Sequence, residues 1–465
     1  MLCINTGCDE KSEKSSFDGT WGELNPSGID FSALPSGNSY YVDINNGSDE
    51  DGDGSITNPW KTLDSVLQTR LEYQEYSAYP YTDAESMITV NPDGIIKSGD
   101  TIILREGHYG ALSISRIYNT DFVTITSMTG ETVSFESVEI SSASYFLIEN
   151  IMANQNLAET PEKTTLLAIS NHNYFGEVHH VIVRNSDFKS IEDSSTWTIN
   201  DWNNIPSNGA SISGNNVSLT DCTFKNVNFG ISVTGSFVDI INNTVENFAG
   251  DGLRGLGSDL LFEGNTVKNC FDVNENHDDG FQSWEVEGVS PERVVLRNNI
   301  ILNYEDFNQP FKGYLQGIGC FDGFYKDWIV ENNLIIVDHW HGITFMGAKN
   351  VVIRNNTVVN RDPDAEPDPW IRIDPHKDGR NSAGCIITGN IAVNSIIATG
   401  DTVETSNYLV DDNTLDTCFA DPSMNDYHLL EECPAVNSGN PDNFTINDMD
   451  NNPRDSEPDC GCYEY

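Results

Sequence analysis

The sequence predicts an all-β chain wound as a single right-handed parallel β-helix of about 11–12 coils, closed by an N-terminal helical cap and a small C-terminal module. Three observations predict it. A glycine phrase recurs: Phe229-Gly230-Ile231, Asp251-Gly252-Leu253, Asp279-Gly280-Phe281, Gln316-Gly317-Ile318, His341-Gly342-Ile343 and Ala383-Gly384-Cys385. A second phrase ending in Asn follows most of these, at Asn243, Asn265, Asn299, Asn333, Asn356 and Asn390, with intervals of 22, 34, 34, 23 and 34 residues. The runs between them, such as Val294-Val295-Leu296 and Val351-Val352-Ile353, are β-branched and too short for helices. A minimum period near 22 with variable insertions is a solenoid signature, and stacked Asn side chains can hydrogen-bond from coil to coil.

If the glycine phrases are in register, the residues before them form a column with about 4.8 Å between coils. That column reads Phe229, Asp251, Asp279, Gln316, His341 and Ala383, and two residues after each Gly stand Ser232, Arg254, Gln282, Gly319 and Thr344. A purely structural column has no need to change from apolar to Asp, Gln, His and Arg in its middle. The site is therefore expected there.

The chain has 465 residues and a net charge of −48, from 72 acidic and 24 basic side chains. A basic surface for nucleic acid is missing, so that partner is excluded. Acidity of this size suits a solvated surface. Twelve of the 24 basic residues lie between Arg254 and Arg380, beside the polar column, where they could form a groove for an anionic chain. No run is apolar enough to span a membrane. Ile4 to Lys11 resembles the end of a bacterial lipoprotein signal, with Cys8 as the lipidated residue and a possible membrane tether. Of ten cysteines, Cys418, Cys433, Cys460 and Cys462 crowd the C-terminus. Three pairings are open for these four, and an extracytoplasmic, disulfide-permissive location is expected. Cys222 stands at an Asn-ladder position and, with Cys270, is expected as a buried thiol.

In chain order, residues 1–35 read as a flexible tether, 36–97 as the N-terminal cap, 98–410 as the β-helix and 411–465 as the C-terminal cap module. Leu63, Val66, Leu67 and Leu71 have helical spacing, and an amphipathic helix there would cap the solenoid. The turn from Asp49 to Gly54 matches half of an EF-hand loop but has Trp60 at the twelfth position, so a weak calcium site and a tight Asp/Gly turn both stand. The longest insertions, Phe271–Asp278, Trp284–Glu292, Tyr304–Leu315 and Arg361–Asp378, flank the polar column, where loops on a rigid scaffold usually carry function.

Both ends carry a resemblance. Tyr40-Tyr41-Val42, Gly47, Pro59-Trp60-Lys61-Thr62-Leu63, Ser98-Gly99-Asp100 and Gly107-His108-Tyr109 resemble the N-terminal signature of secreted bacterial β-helix proteins of the pectin-lyase-like superfamily. Cys433-Pro434-Ala435, Asn452-Pro453-Arg454 and Pro458 to Glu464 resemble a C-terminal module of the same proteins. Asp278-Asp279-Gly280 is similar to the Asp-Asp-Gly run of calcium-dependent β-helix pectate lyases, which implies Ca²⁺ on Asp251, Asp278 and Asp279. The reaction so implied is β-elimination on an acidic, uronate-containing polysaccharide. Catalytic candidates are Arg254, Asp278, Asp279, His341, His376 and Lys377, with the base sought among His341, His376, Lys377 and Lys312. Arg254 and Arg372 would clamp the carboxylate, and Gln282, Trp284, Lys312, Gln316, Trp340 and Arg372 would bind substrate, with Trp370 beside them.

Other readings stand beside this one. Asp251, then Asp278 with Asp279, then His341-Gly342 also resembles polygalacturonase-type hydrolases, which use paired carboxyl groups. Gln316 on an extra coil and Asp374 after Arg372 depart from that pattern. Asp374-Pro375-His376 is similar to the signature of alginate epimerases and could equally be a turn holding its own His. A non-catalytic glycan-binding surface protein would need no charged column. The polysaccharide and the oligomeric state are not legible in the sequence.

Overall fold

The computed structural model describes residues 25–82, 86–362, 367–411 and 414–465; Cys8 and most of the expected tether lie outside them. Each coil has three short strands in fixed order, as in Leu253–Gly255, Leu260–Glu263 and Thr266–Cys270. Each pairs in parallel with its equivalent one coil on, placing Leu253 beside Phe281, Leu260 beside Val294 and Thr266 beside Ile300. Twelve described strands stack on one face, eleven on the next, and the third face also recruits strands of the N-terminal cap. The expected parallel β-helix is present, and its inward positions form one continuous apolar core.

The turn between second and third strands explains the Asn phrase. Its first residue must take a left-handed backbone, and Asn242, Gly264, Asn298, Asn332, Asn355 and Gly389 do so with φ between 52° and 67°. Asn and Gly tolerate that region best. The next residue points inward: Asn265 Nδ2 donates to Asn299 Oδ1 at 3.0 Å, Asn299 to Asn333 at 2.9 Å, Asn333 to Asn356 at 2.9 Å and Asn356 to Asn390 at 2.9 Å. Each Oδ1 also accepts a backbone N–H of the preceding coil, so the buried amides are satisfied in both directions. Cys222 holds the ladder position before Asn243 and is buried, as expected.

Below the polar column the core turns aromatic. Phe281 meets Trp328 edge-on at 6.2 Å, and Trp328 meets Phe345 at 5.6 Å. Their polar neighbours are paired: Trp328 Nε1 donates to Pro291 O at 3.0 Å and Tyr325 OH to Ser283 O at 2.7 Å. This fixes the strands that carry the site from beneath.

The helix Leu63–Thr69 buries Leu63, Val66 and Leu67 at the N-terminal end. In the acidic turn, Asp49 accepts the Lys61 and Thr62 backbone N–H groups and the Thr62 hydroxyl, while Asp53 accepts Ser55 N–H. These carboxylates serve the turn itself. Residues 25–35, expected as the end of a tether, instead lie on the β-helix. Ser27 hydroxyl donates to buried Asp239, and Ile29 packs with Phe122, Leu147 and Ile182. The apolar outward residues on that face explain the docking, because they need a cover. Among the C-terminal cysteines, Cys418 and Cys433 form a disulfide, while Cys460 and Cys462 are buried free thiols.

Candidate active site

One face is formed in part by the strands Leu253–Gly255, Asp279–Trp284, Gln316–Asp322, His341–Met346 and Trp370–Asp374. Their register places Arg254 beside Gln282, Gln282 beside Gly319, Gly319 beside Thr344 and Thr344 beside Arg372. Asp251, Asp279, Gln316 and His341 therefore come from consecutive coils of one face. The expected column continues through Trp370, which pairs with His341. Ala383 leaves it: Ala383–Thr388 pairs with Val352–Arg354 on another face. A shared glycine does not specify which face a strand joins.

Within the column three of the residues before Gly reach forward three positions. Asp251 Oδ2 accepts from Arg254 Nε at 2.5 Å, Asp279 Oδ2 accepts from Gln282 Nε2 at 2.9 Å, and His341 Nδ1 meets Thr344 Oγ1 at 3.0 Å. Gln316 finds Gly319 at that place. A Cβ on Gly319 would sit 2.4 Å from Asp279 Oδ1, so the glycine makes room for this carboxyl group.

Burial dominates the electrostatics. It raises Asp251, with Arg254 opposing, and it raises Asp279 well above the carboxylate range, helped by the charges of Asp251 and Asp278. Burial, then the charge of Asp272, pushes Asp278 up to about 8. Asp278 Oδ1 and Asp279 Oδ1 are both buried without a hydrogen-bond partner. Burial lowers His341 to about 4, with His339 and Arg372 adding to it, and burial lowers His339 to about 4. Both imidazoles are neutral at pH 7.

A cavity of about 440 Å³ opens beside the column, lined by Asp272, His277, Asp278, Tyr314, Gln316 and Trp340, with His339 and Pro367. Trp340 is 45% exposed, and its ring lies parallel to that of Trp370 at 6.0 Å. Four of these residues, Asp272, His277, Tyr314 and His339, were not among the sequence candidates. Their signal was the insertions themselves, since three of the four lie in loops expected to flank the column.

Of the candidates, Asp278, Gln316 and Trp340 line the cavity, and the other ten, Asp251, Arg254, Asp279, Gln282, Trp284, Lys312, His341, Arg372, His376 and Lys377, do not. Lys312 donates to Phe307 O at 2.8 Å and lies over the Tyr304 ring. Lys377 is paired with Asp322 on the surface, and His376 Nδ1 is 2.9 Å from Asp378. Arg372 is paired with Asp374 and lies over the Trp370 ring, and Trp284 stands 5.4 Å from the Arg254 guanidinium.

The donors fit the expected calcium ion poorly. Asp251 gives its two oxygens to Arg254 and to the backbone N–H of Asp279, Asp279 gives one to Gln282, and Asp278 stands by Cys270 and Asp272. Among the described residues, no group of three or more His, Cys, Asp or Glu side chains is arranged to hold a metal ion.

Residues 229–415 match the family model described as a right handed beta helix region. The fold is a right-handed β-helix. No curated protein matches this β-helix chain by sequence. Among solved structures it is similar to pectate lyase Pel9A, at 14% identity and a TM-score of 0.45, over 95% of this chain and 100% of that one. It is also similar to a lacto-N-biosidase from Eubacterium ramulus, at 14% identity and a TM-score of 0.44, over 81% and 68%. A rhamnogalacturonan lyase aligns at 12% identity and a TM-score of 0.37, over 82% and 90%.

Proposed function

We propose that the β-helix is a carbohydrate-active enzyme that hydrolyses a glycosidic bond in the cavity beneath Trp340. The observation that carries this is a pair of carboxyl groups on one cavity with different proton affinities. Asp278 is held protonated at neutral pH, pushed up to about 8 by burial and by the charge of Asp272. Asp272, more exposed, is raised only by burial. Such a split assigns acid and base. Asp278 donates its proton to the glycosidic oxygen as the bond to the anomeric carbon breaks. Asp272 accepts a proton from the water whose oxygen bonds to that carbon. Trp340 offers its exposed face for stacking a sugar ring.

Among the described residues, the cavity lining contains no Lys or Arg. Arg254, Arg372 and Lys377 are closed on Asp251, Asp374 and Asp322. A uronate carboxylate would enter beside Asp272 and Asp278 without a counter-ion, so an uncharged saccharide is favoured over the acidic polymer expected from sequence. Calcium has no part in this reading: both oxygens of Asp251 are taken by Arg254 and the Asp279 N–H, one of Asp279 by Gln282, and Asp278 faces the cavity beside Asp272. The Cys418–Cys433 disulfide fits an extracytoplasmic enzyme acting on polymeric glycan.

One observation favours a second reading: neutral His341 stands near Arg372 and could abstract a proton in β-elimination. The pH dependence of kcat/KM on neutral oligosaccharides tests the first. Asp278→Asn is expected to lose about 10²–10⁴ in rate, and the wild-type profile should fall as pH rises through about 8. A full rate in Asp278→Asn and Asp272→Asn, with loss in His341→Ala, would transfer the chemistry to His341.

A further inference from the structure

Two polar side chains in the lining of the cavity beneath Trp340, Gln316 and His339, each keep a polar atom that the fold does not pair. In the column, Asp251, Asp279 and His341 each bond to the side chain three residues on. Gln316 finds Gly319 at that place. The residue is only 8% exposed, and its Oε1 is buried with no hydrogen-bond partner. Its backbone N–H donates to Asp278 O at 2.9 Å, which sets it beside the proposed acid. An unpaired amide so placed costs the folded chain stability and is free to serve a ligand.

His339 supplies the complementary group. Its Nδ1 accepts the backbone N–H of His341 at 3.1 Å, so the proton of the neutral ring stands on Nε2. Burial, then nearby His277, keeps that ring neutral at pH 7. Among the described residues, none accepts a hydrogen bond from Nε2. The ring is fixed in place: it stacks on His341 at 5.1 Å. The residue before it is pinned as well. Buried Asp338 accepts the backbone N–H groups of Arg361 and Asp362 at 2.9 Å and Asn303 Nδ2 at 3.2 Å. The donor is therefore held ready rather than recruited from a mobile loop.

We propose that His339 and Gln316 select the sugar by gripping one of its hydroxyl groups. His339 Nε2–H donates to the hydroxyl oxygen, and the Gln316 amide oxygen accepts the hydroxyl proton. Rotation of the amide about its last bond turns that oxygen to the cavity. A hydroxyl can donate and accept at once, whereas a carboxylate, an ether or an ester at the same position can only accept. Such a ligand leaves the Gln316 oxygen unpaired, and a site built to bind a hydroxyl discriminates strongly against its loss. This selection rests on the saccharide reading of the cavity but not on the reaction performed there.

The test titrates cellohexaose, xylohexaose and chitohexaose calorimetrically into the full chain carrying Asp278→Asn, so that ligand is not consumed. On that chain His339→Asn keeps an acceptor for the His341 N–H and removes the Nε2 donor, while His339→Gln keeps a donor at that reach. Gln316→Met keeps the volume and removes the amide. At least one hexamer should bind, roughly tenfold or more weakly in His339→Asn and in Gln316→Met, with a smaller loss in His339→Gln. The thermal midpoint separates binding from a structural role: it should hold in His339→Asn and hold or rise in Gln316→Met, since the orphaned amide is gone. ¹⁵N-labelled histidine in the chain carrying only Asp278→Asn should show the Nε2–H tautomer for His339 and a shift of that resonance on adding the hexamer. This readout needs no further variant to fold. No hexamer bound, unchanged affinity in both His339→Asn and Gln316→Met, or a His339 resonance that carries its proton on Nδ1 or does not shift, overturns the proposal. Binding that needs both residues, with no cleavage by the unsubstituted protein, contradicts the hydrolase reading alone. Cleavage with unaltered KM in His339→Asn and Gln316→Met contradicts this assignment alone.

Discussion

Asp278 and Asp279 are neighbours in sequence and turn to different partners. Asp279 is bound to Gln282 beneath Gly319, while Asp278 faces the cavity and Asp272. The folded protein holds the Asp278 proton more tightly than the unfolded chain, about 8 against 3.8. The stability this contributes is full below about pH 4 and is lost as pH rises through about 8. The thermal midpoint should therefore fall between about pH 4 and 8 and level off above it, and Asp278→Asn should flatten that fall. An unchanged slope in the variant would remove Asp278 as its source. Chelation is expected to leave both the midpoint and the activity unchanged, because Asp251 and Asp279 are held by Arg254 and Gln282. A chelator-sensitive midpoint would restore a metal to this cluster. At this scale the sequence was informative where a pattern repeats: Asp251, Asp279, Gln316 and His341 were legible as one column. Asp272 was not, since its role depends on a loop whose path no periodicity sets. Lys312, His376 and Lys377 stand out in the sequence as polar or basic groups, and each is held by a nearby acceptor, Phe307 O, Asp378 and Asp322.

The strand and its turn are the next unit. Asn299 donates to Phe262 O and Asn333 Oδ1, and its Oδ1 accepts both the backbone and side-chain N–H of Asn265. Asn299→Ala orphans several buried groups and should destabilise the fold by about 2–5 kcal/mol. Asn407, at the end of the ladder and half-exposed, should cost about 1 kcal/mol on the same change. Urea denaturation of the two variants compares them, and equal effects would deny the ladder its energetic role. Gly317→Ala tests close approach instead. A Cβ there would lie 2.1 Å from Gly342 O, so soluble yield should drop sharply. Both devices were readable from sequence, because Asn and Gly are the residues such turns and contacts require. The misplacement of Ala383 shows the limit: the phrase gives the turn geometry but not the face.

The low-periodicity start did not reveal that residues 25–35 dock on Asp239 and the Phe122, Leu147, Ile182 patch. Deleting residues 1–35 should expose that patch, lower the thermal midpoint and raise binding of a hydrophobic dye; an unchanged midpoint would mark the contact as incidental. The proposed preference for an uncharged glycan rests on the pairing of Arg254, Arg372 and Lys377 with Asp251, Asp374 and Asp322. The most direct test of the central claim is the mass and absorbance of products formed from neutral polysaccharides in ¹⁸O-water. Hydrolysis at Asp272 and Asp278 predicts one ¹⁸O per cleaved bond, no conjugated ultraviolet absorbance, and loss of both products and label in Asp278→Asn. Cleavage confined to uronate polymers, giving unsaturated ends without ¹⁸O, would contradict it.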